Sequence, residues 1–454
     1  MTVLTVKNHG WYSDFKPLPN NAIVWLPLFN YVCGFFMMIT GNYSITIARL
    51  VNVFAGAFTC IIVYGICLRL YNHEWFATIG GLTLALQPWH IDYSTLGTTE
   101  TLTGFFASLM IFSFLTGRKR LFYIFSSLAM LTGYEGWFIA IFLVSVGFLR
   151  KGWKGRDLAS SVGTVAAVIS AWSFWSYVNV GYPLSWITAQ AAMAGWRLHF
   201  APAHELLFYV NLILVMTFFL FVIGVTAGML HSRNARTLSF LILAYITFYT
   251  VARFIGLDYG DPGRLIILLP AVFMVVPSAF PKFNGRKTRA LLVLALISIL
   301  LVPYFAPPDV GIRTFQKKVY VVKPQYRTGL AFEKVYVGGT VLCDFPTVIY
   351  YSGLDVNRFI SYEHLDWYIQ TRDSAKLESW LKENNVTFIV WQNVVYSKCG
   401  KVFEGFDDGQ THTIGSIRFT CIYEDSLRIY NLLGIYEEHA AEVPDIFIYK
   451  VDYL

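Results

Sequence analysis

The chain has 454 residues, of which 56% are hydrophobic, 17% aromatic and only 14% charged. A soluble protein carries about 25% charged residues, so the composition excludes an ordinary soluble globule and reads as a polytopic membrane protein. The net charge of +7 sits in short basic clusters between apolar segments; that is the pattern of cytoplasmic loops, so no nucleic acid is expected as a partner and membrane lipids are.

Residues 1–21 contain no apolar core of the kind a signal peptide needs, and are expected as a short segment at the outer face. Apolar segments follow at 22–40, 47–70, 75–93, 100–116, 120–133, 136–149, 158–180, 205–230, 236–256, 262–280 and 288–305. Most approach the roughly 20 residues that a spanning helix needs, and about ten transmembrane helices are expected within 22–309. Segment 22–40 is broken up by Pro27 and Asn30, so it either enters from the cytoplasm or lies re-entrant at the surface.

Lysine and arginine set the orientation. One set of connections holds Arg69, then Arg118, Lys119 and Arg120, then Arg150, Lys151, Lys154 and Arg156, then Arg233 and Arg236, then Lys282, Arg286, Lys287 and Arg289. The alternate connections hold almost none, so the first set faces the cytoplasm. Glu100, Glu135, Asp258, Asp261 and Arg264 then gather on the outer side.

Beyond Phe305 the composition changes. β-rich runs at Val319–Val322, Thr340–Asp344, Val386–Trp391, Phe419–Tyr423 and Ile446–Val451 alternate with helical stretches such as Ser374–Asn384. Residues 310–454 are therefore expected as an α/β domain, outside the cell membrane because 288–305 leaves the cytoplasm. Six cysteines show no metal-ligand spacing; Cys399 and Cys421 are a candidate disulfide if that domain meets an oxidising compartment.

Carboxylates within membrane-level segments cost about 2.5–3.5 kcal/mol on insertion scales and are rarely idle. Glu100 and Glu135 sit in short polar breaks, Thr98-Thr99-Glu100 and Tyr134-Glu135-Gly136. A carboxylate there can act as general base on an acceptor hydroxyl. Arg264, and second to it Arg49, can hold a phosphate through paired hydrogen bonds. Asp261-Pro262-Gly263 opens the helix that carries Arg264, whose first N–H groups can assist an anion. His90 lies near the outer end of segment 75–93, as an interfacial hydrogen-bonder or a substrate contact. The set suits transfer from a lipid-borne phosphate whose tail stays in the bilayer. No Walker A, GxGxxG, HExxH or serine nucleophile elbow stands in a suitable context.

Several motifs in order carry a resemblance: Trp25-Leu26-Pro27-Leu28-Phe29, Ala48-Arg49-Leu50, Leu84-Ala85-Leu86-Gln87-Pro88-Trp89-His90 with Ser94, and Thr99-Glu100 leading to Phe105-Phe106. Leu131-Thr132-Gly133-Tyr134-Glu135-Gly136-Trp137 and Gly263-Arg264-Leu265 through Pro270 complete the set. Over residues 10–280 the chain resembles the GT-C membrane glycosyltransferases, in the branch of protein O-mannosyltransferases and aminoarabinose transferases. The tail, with Leu342-Cys343-Asp344 and Tyr350-Tyr351-Ser352-Gly353, is similar to the extracytoplasmic domain of some members. The resemblance implies a polyprenyl- or dolichyl-phosphate-linked sugar as donor, a protein, lipid or polysaccharide as acceptor, and inversion at the anomeric carbon. Glu100 matches the family's acidic position in the second outer loop, and Arg264 its donor-phosphate arginine.

Relatives begin with a transmembrane helix followed by an acidic residue or pair in the first outer loop. Here Met1 lies only 26 residues before Pro27, so that helix is expected to be missing and Asp14 is the nearby acid. Thr95 and Gly133 stand where relatives often carry a basic residue. Some distant members use a divalent metal, but no clear ligand set stands out in this sequence. The leading expectation is an integral-membrane GT-C-like glycosyltransferase with Glu100, Glu135 and Asp14 as catalytic candidates and Arg264, Arg49, His90 and Asp261 as substrate contacts. Its rivals are a transporter or flippase, which should show inverted repeats that are not seen here, and an inactive GT-C-like scaffold.

Overall fold

The computed structural model describes residues 26–42, 44–149, 153, 155–180, 182–184, 187, 208–217, 220–255, 263–280, 325–392, 399–425 and 446–454. One compact unit falls within Ile23–Gly311 and a second within Ile312–Leu454. The expected segment 1–21, the span 288–305 and the strand Val319–Val322 lie outside the described residues.

The first unit is helical. Helix α1 (Leu28–Thr40) begins after Pro27 and ends at Gly41, whose φ of 62° is the left-handed stop that glycine accepts readily. Helix α2 (Ile45–Tyr71) runs 27 residues without a proline. It closes on Asn72 at φ 48°, whose N–H bonds the Leu68 carbonyl at 2.8 Å.

Segment 75–93, expected as one helix, is two. Helix α3 (Glu74–Ala85) stops, and helix α4 (Pro88–Thr95) restarts on a proline at its first turn, the one helical position where the missing N–H costs nothing. Gln87 makes the break: its side chain accepts from Trp89 N at 2.6 Å and donates to the Met216 carbonyl at 2.6 Å. A second break follows at Leu96-Gly97-Thr98, where α4 and helix α5 (Thr99–Leu115) meet at 115°.

Helix α6 (Lys119–Thr132) and helix α7 (Tyr134–Leu149) form a hairpin with Gly133 alone between them. Helices α8 (Gly155–Val180), α9 (Phe208–Thr217), α10 (Leu220–His231), α11 (Arg233–Phe254) and α12 (Gly263–Val275) follow. Among the described residues, three helices are long and apolar enough to cross a membrane, within α2, α8 and α11, and the bent α4–α5 pair makes up to four. Serine and threonine in these apolar helices return their hydroxyls to the carbonyl four residues back, as Thr59, Ser108, Ser113 and Thr132 do at 2.7–2.8 Å.

Helix α12 lies at the centre. Every residue from Leu265 to Val275 is buried, and the helix touches α2, α3, α5, α10 and α11. A helix apolar all round has no face for solvent. Gly104 on α5 faces α12, where a Cβ would stand in ordinary contact, 3.6 Å from the Ile267 backbone.

The second unit is an α/β domain. After helix α13 (325–335) come strand β1 (Thr340–Leu342), helix α14 (Pro346–Tyr351), strand β2 (Phe359–Ile360), helices α15 (Asp366–Thr371) and α16 (Ser374–Glu383), and strand β3 (Val386–Gln392). Helix α17 (Cys399–Val402) and strands β4 (His412–Ile414), β5 (Ile417–Asp425) and β6 (Ile446–Tyr453) complete it. The six strands order as β2-β1-β3-β6-β5-β4, parallel in the first three and antiparallel beyond. β3 is buried almost throughout and apolar from Phe388 to Trp391, as an interior strand covered on both faces should be. The candidate disulfide is not formed: all six cysteines are thiols, and Cys399 Sγ lies 2.7 Å from the Gln392 carbonyl.

Candidate active site

Three helices begin at one place in the first unit. Glu100 is the second residue of α5, Glu135 the second of α7 and Arg264 the second of α12. Carboxylates in a first turn are favoured by the helix dipole, whereas an arginine there is opposed by it. Arg264 is held by its partner: Nη1 forms an ion pair with Glu135 Oε1, with side chains 15% and 5% exposed. Glu100 and Tyr134 also act on the guanidinium electrostatically.

The α6–α7 turn seats Glu135. Trp137 Nε1 donates to the Met130 carbonyl at 2.7 Å, folding α7 back on α6. Any side chain at Gly133 would crowd this group, for a Cβ there would be 2.6 Å from Glu135 Oε2 and 2.7 Å from Thr103 Oγ1. The space beside Gly133 is thus filled by the Glu135 carboxylate and Thr103. Tyr134 OH accepts from Trp172 Nε1 at 3.1 Å, bringing in α8.

Helix α11 supplies the other wall. Tyr245 OH donates to the Arg264 carbonyl at 2.8 Å, and the guanidinium carbon stands 5.5 Å from the centre of the Tyr249 ring, within cation–π range. Sequence reasoning missed Tyr245, Tyr249, Trp172 and Thr103. Tyrosine and tryptophan are common at membrane interfaces, so nothing in the sequence marks these.

The other candidates are arranged differently. His90 is buried, with Nε2 3.2 Å from the Gly56 carbonyl and 3.6 Å from Cys60 Sγ, and so ties α4 to α2. Arg49 is exposed on the first turns of α2. Asp14 and Asp261 lie outside the described residues. Among the described residues, no three His, Cys, Asp or Glu side chains gather as a metal-binding group. Arg118, Lys119, Arg120 and Arg156 fall at the opposite helix ends, where Lys119 Nζ pairs with Asp157 at 2.5 Å.

Two solved structures share this architecture. ArnT from Cupriavidus metallidurans in the apo state is 12% identical, with a TM-score of 0.54 over 88% of this chain and 90% of ArnT. The same protein bound to undecaprenyl phosphate is 12% identical, with a TM-score of 0.50 over 81% and 86% of the two chains. The fold is GT-C-like. No family model matches the chain, and no curated protein matches it in sequence. The ArnT-like fold and the apolar helices make it a membrane protein with a C-terminal sheet domain.

Proposed function

We propose that the protein is a glycosyltransferase that moves a sugar from a polyprenyl- or dolichyl-phosphate donor to an acceptor at the outer face of the membrane. The observation that carries this reading is the meeting of Glu100, Glu135 and Arg264 where α5, α7 and α12 begin. Three helix N-termini and a guanidinium make a site for a phosphate. That ArnT, on the same fold, has been solved with undecaprenyl phosphate bound supports a lipid phosphate as the anion.

Each residue then has a task. Arg264 holds the donor phosphate, and Glu135, paired with it, fixes the guanidinium rather than reacting. Glu100 takes the proton from the acceptor hydroxyl as its oxygen bonds to the anomeric carbon. The bond from that carbon to the phosphate oxygen breaks, and the electron pair leaves with the lipid phosphate. Attack opposite the leaving group inverts the anomeric carbon. Arg49, His90, Asp14 and Asp261 have supporting places in the same reading, and the C-terminal domain sits outside the cytoplasm.

General-base catalysis contributes about 10²–10⁴-fold. In membranes expressing equal amounts of protein, Glu100→Gln is therefore expected to reduce transfer from a lipid-phosphate sugar to about 1% or less. Full activity of that variant removes Glu100 from the chemistry.

A further inference from the structure

Glu100 owes its place to the break before it, and the break rests on one buried amide. Asn52 is fully buried in α2. Its Nδ2 donates to two backbone carbonyls of the break, Leu96 O and Thr98 O, the second at 2.7 Å. Because both partners are carbonyls, only the NH₂ end of the amide can face them. Carbonyls that a helix break exposes inside an apolar layer need donors, and neighbouring side chains are the usual source.

The rest of this face of α2 is shaped to the same stretch. Ala48, Asn52, Gly56 and Cys60 recur every four residues and so share one face. A Cβ on Gly97 would be 3.0 Å from Ala48 Cβ, and a Cβ on Gly56 would overlap Ser94 Oγ. Ser94 Oγ is committed to the His90 carbonyl at 2.6 Å, and His90 lies against Gly56 and Cys60. The face thus holds α4 through His90 and Ser94, and holds the break through Asn52. Thr98, whose carbonyl Asn52 binds, immediately precedes α5, and its own side chain forms no capping bond. The first turn of α5, with Glu100, is therefore fixed from α2.

We propose that Asn52 is a positioning residue for the Glu100 carboxylate: its amide clamps Leu96 and Thr98 so that α5 begins with Glu100 facing Arg264. It touches neither donor nor acceptor. The functional half of this proposal rests on the transfer reading above, while the clamp itself does not.

The test uses the full-length protein in nanodiscs with Asn52→Leu, and with Asn52→Ser, which keeps one donor and is the milder change. Hydrogen exchange is read for peptides covering 86–104, with peptides from α11 as internal control, and transfer kinetics are read with a polyprenyl-phosphate sugar. The clamp predicts at least tenfold faster exchange in 96–104 for Asn52→Leu, a smaller rise for Asn52→Ser and no change in α11. Positioning predicts a fall in kcat of at least 100-fold for Asn52→Leu with the donor KM within threefold, and partial rescue in Asn52→Ser. Unchanged exchange in 96–104 overturns the clamp whether or not the wild type transfers sugar. Faster exchange with unchanged kcat, in a wild type that does transfer, overturns the positioning role. Faster exchange in a protein whose wild type transfers nothing supports the clamp and overturns the transfer reading instead.

Discussion

At the scale of single residues the buried pair of Glu135 and Arg264 decides most. An arginine in the first turn of α12 has the helix dipole against it and apolar residues around it, so it needs a carboxylate. Removing one partner of a buried pair costs about 3–5 kcal/mol, because the remaining charge stays buried, while removing both is much milder. Thermal unfolding of the purified protein should therefore show Glu135→Ala and Arg264→Ala each strongly destabilised, with the double variant well short of their sum. Additive losses would mean that the two side chains do not pair. Glu100, Glu135 and Arg264 are legible in the sequence because an ionisable group inside an apolar run stands out. Asn52 is one neutral amide in a 27-residue helix, and neutral polar residues in such helices commonly satisfy themselves locally. Nothing in its neighbours shows that a break 44 residues away needs its donors.

At the scale of elements the site depends on turns rather than on spans. The α6–α7 hairpin turns on a single residue, Gly133, and closes because Gly136 N bonds the Gly133 carbonyl at 2.9 Å. A Cβ on Gly136 would overlap the Ala129 backbone and lie 2.9 Å from Met130 N. Backbone has no rotamer to yield, so Gly136→Ala should cost about 1–3 kcal/mol as overpacking does and displace Glu135. A melting temperature equal to wild type would contradict this packing. In the second domain the β4–β5 hairpin turns at Gly415-Ser416 and is tied to α16 through Glu378, which pairs with Lys382 at 2.6 Å and accepts from Ser416 N at 3.3 Å. Lys382 first, and then Ser416, hold the Glu378 carboxyl down from 4.5 to about 2. A folded-state pKa below the ordinary value stabilises above that value and is lost as pH falls through the lower one. The melting temperature should thus fall between pH 4.5 and 2 less steeply in Glu378→Gln than in wild type; identical slopes would dismiss the contact. The strands at Val386, Phe419 and Ile446 and the helix at Ser374 are legible from composition and period. The break at Gln87-Pro88 is not, because it lies within a stretch apolar enough to read as one span, whereas the polar Thr98-Thr99-Glu100 marks the second break in the sequence.

At the scale of the whole molecule, the bundle is polar along its axis. The ends that carry Glu100, Glu135 and Arg264 are opposite the ends that carry Arg118, Lys119 and Asp157, and α12 runs buried between the surrounding helices. The alternation of basic and acid-bearing connections makes this polarity legible in the sequence, whereas the centrality of α12 is not, since its composition matches that of any apolar segment. In the proposed transfer, this end of the bundle, with its guanidinium, two carboxylates and three helix N-termini, is the place of the lipid phosphate and the reacting sugar. The most direct test is to follow the purified full-length protein, in liposomes, with an undecaprenyl-phosphate sugar and candidate acceptors. The account predicts release of undecaprenyl phosphate in step with a glycosylated product of inverted anomeric configuration. Product of retained configuration, or an intact protein that binds the lipid and releases nothing with any acceptor, would contradict it.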